Sequence, residues 1–138
     1  MRGEINWHNK SILIVEDDHI NFSYLDILLK PTRVKIFRAE EGQSAIDIIF
    51  KNPDIDLVLM DIRLPGLNGL DATRRIVAFR ESLPIIAQTA YAEQEDQRAA
   101  FEAGCCDFIA KPIRANEMLD LIRKHLGQIG RASCRERV

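Results

Sequence analysis

Five short apolar runs alternate with stretches of helical periodicity along this chain of 138 residues. The runs occupy residues 12–15, 34–39, 57–60, 85–89 and 108–110. The helical stretches occupy residues 20–30, 41–52, 70–80, 93–103 and 116–126. Short apolar runs bounded by turn signals are typical of buried strands, and strands that alternate with helices predict a parallel sheet covered on both faces. We therefore expect an α/β domain with five parallel strands.

The spacing of apolar residues predicts which faces of the helices are buried. In the first helical stretch the apolar positions are Ile20, Tyr24, Leu25, Leu28 and Leu29. In the second they are Ala45, Ile46, Ile49 and Phe50. We expect Asn116 to cap the last helix.

The run at residues 57–60 ends in a carboxylate, Asp61, which is followed by a Pro65-Gly66 turn and by Gly69. In open parallel sheets, ligands bind just beyond the carboxyl ends of the strands. A lone carboxylate at such a strand end is therefore directed at a binding site, with a glycine-containing loop around it.

Polar side chains also follow three of the other strands. Glu16 and Asp17 follow the first, Thr89 ends the fourth and Lys111 follows the fifth. Several carboxylates at one edge repel each other unless a cation lies among them, and hard oxygen ligands favour Mg²⁺. This combination predicts phosphoryl transfer, with Asp61 as the nucleophile that forms an acyl phosphate while Thr89 and Lys111 bind phosphoryl oxygens.

Four motifs at these strand ends resemble those of the response-regulator receiver domain. They are Ile-Leu-Ile-Val-Glu-Asp-Asp at 12–18, Leu-Met-Asp-Ile-Arg-Leu-Pro-Gly-Leu-Asn-Gly at 59–69, Thr89-Ala90 and Lys111-Pro112. The resemblance covers residues 10–127 and is nearest in character to receivers of bacterial hybrid sensor kinases. It implies a flavodoxin-like (βα)5 fold, a doubly wound sheet of five strands in the order 2-1-3-4-5.

The resemblance also implies a role for each matching residue of the acidic pocket. Asp61 matches the phosphoacceptor and Asp17 matches the acid that binds Mg²⁺ directly. Glu16 matches a ligand that acts through water, and the backbone carbonyl of Arg63 matches a further metal ligand.

Residues of the fourth and fifth strands match the parts of a switch. Thr89 corresponds to the hydroxyl that turns toward the phosphate, Phe108 to an aromatic ring that rotates, and Lys111 to the phosphate-binding lysine. The Lys111-Pro112 bond is cis in relatives. A histidine kinase or a histidine phosphotransfer domain would donate the phosphoryl group, and the face formed by the fourth helix, fifth strand and fifth helix would change shape. The same face would serve a homodimer.

Two side chains near the mouth of the site are expected to lengthen the lifetime of the phosphorylated state. Arg63 lies two residues after Asp61, and Tyr91 lies two residues after Thr89. We expect both to hinder the water molecule that hydrolyses the acyl phosphate.

Three other functions remain open. A Mg²⁺ phosphatase of the haloacid dehalogenase type also uses a strand-end aspartate, but it would place a second Asp where Arg63 stands. A flavin-binding electron carrier would need a hydroxyl- and glycine-rich loop where Glu16 and Asp17 stand. A degenerate receiver would act only as a protein-binding module. We favour a phosphoacceptor switch over a turnover enzyme.

Composition and charge indicate which partners and which location to expect for this domain. The net charge of -2 gives no electrostatic case for nucleic-acid binding. No apolar run approaches the roughly 20 residues of a membrane span, and the start lacks a signal peptide, so we expect a cytoplasmic location.

Residues 1–9 form an N-terminal extension. Residues 128–138 resemble a translated sequencing adapter, so we expect that the natural sequence is cut near residue 128.

Overall fold

The computed structural model describes residues 5–64, 66–90 and 94–126. The strands are β1 (Ser11–Val15), β2 (Lys35–Ala39), β3 (Leu57–Asp61), β4 (Ile85–Thr89) and β5 (Asp107–Ala110). The helices are α1 (His19–Leu29), α2 (Gly42–Lys51), α3 (Gly69–Phe79), α4 (Gln94–Ala103) and α5 (Ala115–Leu126). A short 3-10 turn, Lys30–Thr32, follows α1. The expected N-terminal extension is described only from residue 5, and the adapter-like tail lies outside the described residues.

All five strands are parallel, and their order across the sheet is β2-β1-β3-β4-β5. This confirms both the alternating α/β pattern and the strand order that the family resemblance implied. The register aligns Val15 with Met60, and Asp61 with Gln88. The carboxyl end of the sheet therefore brings together Glu16 and Asp17, which follow β1, Asp61 at the end of β3, and the end of β4.

The core consists of two layers because each central strand is apolar on both faces. β1 places Leu13 and Val15 in the layer that α2, α3 and α4 cover. It places Ile12 and Ile14 in the layer that α1 and α5 cover. This burial on both faces explains why the strands are continuous apolar runs and do not alternate with polar residues.

The apolar face predicted for α1 is wrong in part. Leu25 and Leu29 are fully buried against the sheet, but Ile20 is 81% exposed and Tyr24 is 42% exposed. Ile20 and Tyr24 form one pair with helical i, i+4 spacing, and Leu25 and Leu29 form a second. At 100° per residue, however, positions 20 and 25 lie about 140° apart, so the two pairs cannot share one face. The sequence pattern merged two separate stripes.

Two further expectations about the helices need correction. Phe50, predicted on the buried face of α2, is 74% exposed and packs edge-on against Phe79 with ring centroids 5.9 Å apart. Asn116 does not cap the last helix but lies inside its first turn, because α5 begins at Ala115. None of the helices that the structure describes is both long and apolar enough to cross a bilayer.

Candidate functional site

Three carboxylates lie together at the carboxyl edge of the sheet. Glu16 and Asp61 are buried and Asp17 is exposed. One oxygen from each of the three lies within 4.8 Å of the others. The structure thus places together the three acids that the sequence pattern selected, two of them at the base of the pocket and one at its rim.

Burial of this cluster has an electrostatic consequence for Glu16. Burial, together with the hydrogen bond and negative charge of the neighbouring Asp61, raises the pKa of Glu16 above its ordinary value of 4.5. The amide of Asn21 and the ammonium of Lys111 act in the opposite direction but do not outweigh these effects. Burial and the neighbouring carboxylate thus both oppose ionisation of Glu16, as expected where several acids converge on one cation site.

Lys111 bridges the two buried acids. Its ammonium Nζ lies 3.2 Å from Glu16 Oε1 and 3.2 Å from Asp61 Oδ2. Burial lowers the pKa of Lys111, but the charges of Asp61 and Glu16 outweigh this effect and raise the pKa above 10.5. The stabilisation from this bridge is present at neutral pH and is lost only as the pH rises through the raised pKa.

The loop after β3 holds the Asp61 side chain in place. The backbone N–H of Arg63 donates to Asp61 Oδ1 at 2.9 Å. The loop returns to the strand at Gly69, whose N–H donates to the carbonyl of Ile62. A Cβ atom at Gly69 would clash with the carbonyl oxygen of Asp61 and would lie 2.6 Å from Ile62 Cα, so glycine is needed for this close approach.

The residues assigned to a switch lie on β4, the strand beside Asp61, and on β5, the strand beyond it. Thr89 is fully buried at the end of β4, and its carbonyl accepts a hydrogen bond of 2.7 Å from the N–H of Lys111. Phe108, on β5, is partly buried and packs against the core layer under α2, α3 and α4. The Lys111-Pro112 peptide bond is cis, as the resemblance implied. Tyr91 lies outside the described residues.

The side chains of α1 contact the site in ways that the sequence pattern did not predict. Asn21 Nδ2 donates to Glu16 Oε1, and the Tyr24 hydroxyl donates to the carbonyl of Ile113 at 2.8 Å. Asp18 caps α1, because its side chain accepts from the N–H groups of Ile20 and Asn21. No local signal distinguishes Asn21 or Tyr24 from other helix residues, since their partners depend on tertiary packing.

The sequence matches a known family over most of its length. Residues 12–123 match the family model described as the response regulator receiver domain. The polar-differentiation response regulator DivK of Brucella ovis is 33% identical over 120 residues, which cover 86% of this chain and 97% of that protein.

Solved structures of receiver domains are similar to this one. The receiver domain of the sensor histidine kinase PA1611 from Pseudomonas aeruginosa, with magnesium coordinated in its active-site cleft, has a TM-score of 0.81 and 33% identity, covering 87% of this chain and 99% of that one. A chain of the complex between the Saccharomyces cerevisiae histidine phosphotransfer protein Ypd1 and the receiver domain of Ssk1 has a TM-score of 0.81 and 29% identity, covering 91% of this chain and 96% of that one. With its strand order and its cluster of strand-end acids, this chain belongs to the response regulator receiver domain family of two-component systems.

Proposed function

We propose that this domain accepts a phosphoryl group on Asp61 and acts as a switch in a phosphorelay. The observation that carries the proposal is the position of the Lys111 ammonium, 3.2 Å from both Asp61 and Glu16 inside the acidic pocket. A buried carboxylate beside a fixed ammonium combines a nucleophile with a cation for the incoming phosphoryl oxygens.

The pocket also fits Mg²⁺. Three carboxylates offer oxygens within 4.8 Å of one another, and oxygen donors are the ligands that Mg²⁺ prefers. Asp17 and Asp61 would bind the ion directly, Glu16 through water, and Arg63 through its backbone carbonyl. The ion would keep Asp61 ionised and neutralise charge on the phosphoryl oxygens. Magnesium in the cleft of the Pseudomonas aeruginosa PA1611 receiver supports this assignment.

The donor would be a phosphohistidine of a histidine kinase or a phosphotransfer domain. A carboxylate oxygen of Asp61 attacks the phosphorus, the P–N bond to the donor breaks as the O–P bond forms, and the released imidazole nitrogen takes up a proton. Lys111 and the Thr89 hydroxyl bind the phosphoryl oxygens. The complex between Ypd1 and the receiver of Ssk1 supports this class of partner.

Phosphorylation would then alter the surface beside the site. Thr89, at the end of the strand beside Asp61, would turn toward the phosphate, and Phe108, on the strand beyond it, would rotate inward. The face made by α4, β5 and α5 would change shape and would bind the output partner or a second copy of the domain. The domain is proposed as a switch located in the cytoplasm, and its covalent chemistry is limited to its own phosphorylation and dephosphorylation.

Incubation with acetyl phosphate and Mg²⁺, followed by intact mass measurement, tests the acceptor. One added phosphate is expected, formed as a carboxylate oxygen of Asp61 displaces acetate from phosphorus. The addition is expected to disappear in Asp61→Asn and in the presence of a metal chelator. Phosphate uptake by Asp61→Asn equal to that of the parent would contradict the proposal.

The shielding role of Arg63 and Tyr91 makes a separate prediction about lifetime. Arg63 is exposed at the mouth of the pocket. The double variant Arg63→Asn with Tyr91→Ala is expected to lose phosphate faster than the parent, because water then reaches the acyl phosphate more easily. The decay of the phosphorylated mass after removal of acetyl phosphate measures this rate. An unchanged or slower decay would rule out shielding by these two side chains.

A further inference from the structure

Tyr24 connects the first helix to the loop that carries Lys111. Its hydroxyl donates to the backbone carbonyl of Ile113 at 2.8 Å, across 89 positions of sequence. The Tyr24 side chain is 42% exposed, so water could satisfy the hydroxyl without this bond. The bond therefore acts chiefly on the loop, whose carbonyl it fixes against α1.

The loop between β5 and α5 is held at a few points close to Lys111. The N–H of Lys111 donates to the carbonyl of Thr89 at 2.7 Å. The Ile113 side chain is buried in the core layer under α1 and α5. Pro112, between these two residues, is exposed and has no N–H to donate. The Tyr24 hydroxyl thus supplies a polar anchor two residues beyond the lysine.

The position of this loop decides where the lysine ammonium can reach. Lys111 Nζ lies between Glu16 and Asp61, and the Lys111 side chain remains 23% exposed. A lysine stem has four flexible carbons, so its packing alone does not fix the ammonium. The backbone at residues 111–113 therefore sets the point from which the flexible stem must reach the two acids.

We propose that Tyr24 is a positioning residue for phosphoryl transfer to Asp61, acting through Lys111. The inference rests on the proposed function and extends it. Tyr24 touches neither the acids nor the phosphoryl group. It fixes the Ile113 carbonyl, and the fixed loop holds the Lys111 ammonium where phosphoryl oxygens arrive as the bond to Asp61 forms.

The variant Tyr24→Phe tests this role because it removes the hydroxyl and keeps the ring. Uptake of phosphate from acetyl phosphate at saturating Mg²⁺ is expected to slow about three- to tenfold, the effect of one lost hydrogen bond. Mg²⁺ affinity, measured by calorimetric titration, is expected to stay unchanged. The matched control is Ile27→Ala, on the same face of α1 and 69% exposed, which is expected to retain the parent rate.

A double-mutant cycle with Lys111→Met separates positioning from a general structural effect. Phosphate uptake by Lys111→Met is measured over a longer incubation because it is slower. Adding Tyr24→Phe to this variant is expected to leave its uptake rate unchanged. The same slowing in both backgrounds would overturn the inference, as would loss of Mg²⁺ affinity in Tyr24→Phe. If the parent takes up phosphate and Tyr24→Phe does so at the same rate, the positioning role of Tyr24 is overturned while the proposed function stands. A parent that takes up no phosphate would instead contradict the proposed function itself.

Discussion

Glu16 is a fully buried carboxyl placed beside a second acid, and this placement opposes stability. Its pKa is raised chiefly by burial and then by Asp61. A group whose pKa is higher in the folded protein stabilises it below the ordinary value of 4.5, and that contribution is lost as the pH rises through the raised value. Ionisation of Glu16, as the pH rises through its raised pKa, therefore lowers the stability of the metal-free protein.

The variant Glu16→Gln is expected to unfold at a higher denaturant concentration than the metal-free parent at pH 7. The difference is expected to shrink as the pH falls through the raised pKa of Glu16 and to be smallest below about pH 4.5, where the carboxyl is protonated in both the folded and the unfolded protein. Added Mg²⁺ is expected to stabilise the parent by about 2.7 kcal/mol at one hundred times its Kd, and to stabilise the variant less at the same concentration. Denaturant titrations with and without Mg²⁺ measure both effects. A metal-free variant less stable than the parent at pH 7 would show that Glu16 contributes net stability.

Gln88 is another buried polar residue with a measurable consequence. It is fully buried on β4, where it is aligned with Asp61. Among the residues that the structure describes, neither its Oε1 nor its Nε2 has a hydrogen-bond partner. Gln88→Leu is therefore expected to raise the free energy of unfolding by about 1–3 kcal/mol. A loss of stability in denaturant titrations would indicate that bound water satisfies the amide.

At the scale of elements, the loop between β3 and α3 connects backbone packing to the position of Asp61. Gly69→Ala is expected to destabilise the protein by about 1–3 kcal/mol, because the new methyl group would press on the Asp61 carbonyl. The displaced strand end is also expected to slow phosphate uptake at Asp61. Thermal unfolding and intact mass after acetyl phosphate treatment measure the two effects.

Gly66→Ala is the matched control in the same loop. Gly66 has φ +68, and a Cβ atom added there would meet no described atom within 4 Å, so alanine is strained without a clash. A stability loss of about 1–2 kcal/mol is expected, with little change in phosphate uptake. Equal slowing in both variants would mean that loop strain in general, and not pressure on Asp61, limits the reaction.

At the scale of the whole molecule, the strands were predictable because their apolar runs are buried on both faces. All five strands form where the runs lie, and the acids that follow them meet at one edge. The strand order came from family resemblance, since periodicity does not determine which strands are neighbours. Parallel topology explains why residues as distant as Glu16 and Lys111 could be placed in one site from sequence.

The parts that were not predictable depend on packing between elements. The exposure of Ile20 follows from the rotation of α1 on the sheet, and Phe50 is exposed beside Phe79 at the edge of two helices. The hydrogen bond from Tyr24 to Ile113 joins residues with no local relation in sequence. Such contacts are set by how helices settle on the sheet, which a single sequence does not encode in any short pattern.

The most direct test of the account is identification of the residue that carries the phosphate. Borohydride reduces acyl phosphates, so a phosphorylated aspartate becomes homoserine, which peptide mass spectrometry can locate. After treatment with acetyl phosphate and Mg²⁺, the account predicts homoserine at position 61 and unmodified residues at positions 16 and 17. Homoserine at position 17, the one-carbon-longer alcohol 2-amino-5-hydroxypentanoic acid at position 16, or no reduced residue at any of the acids would contradict it.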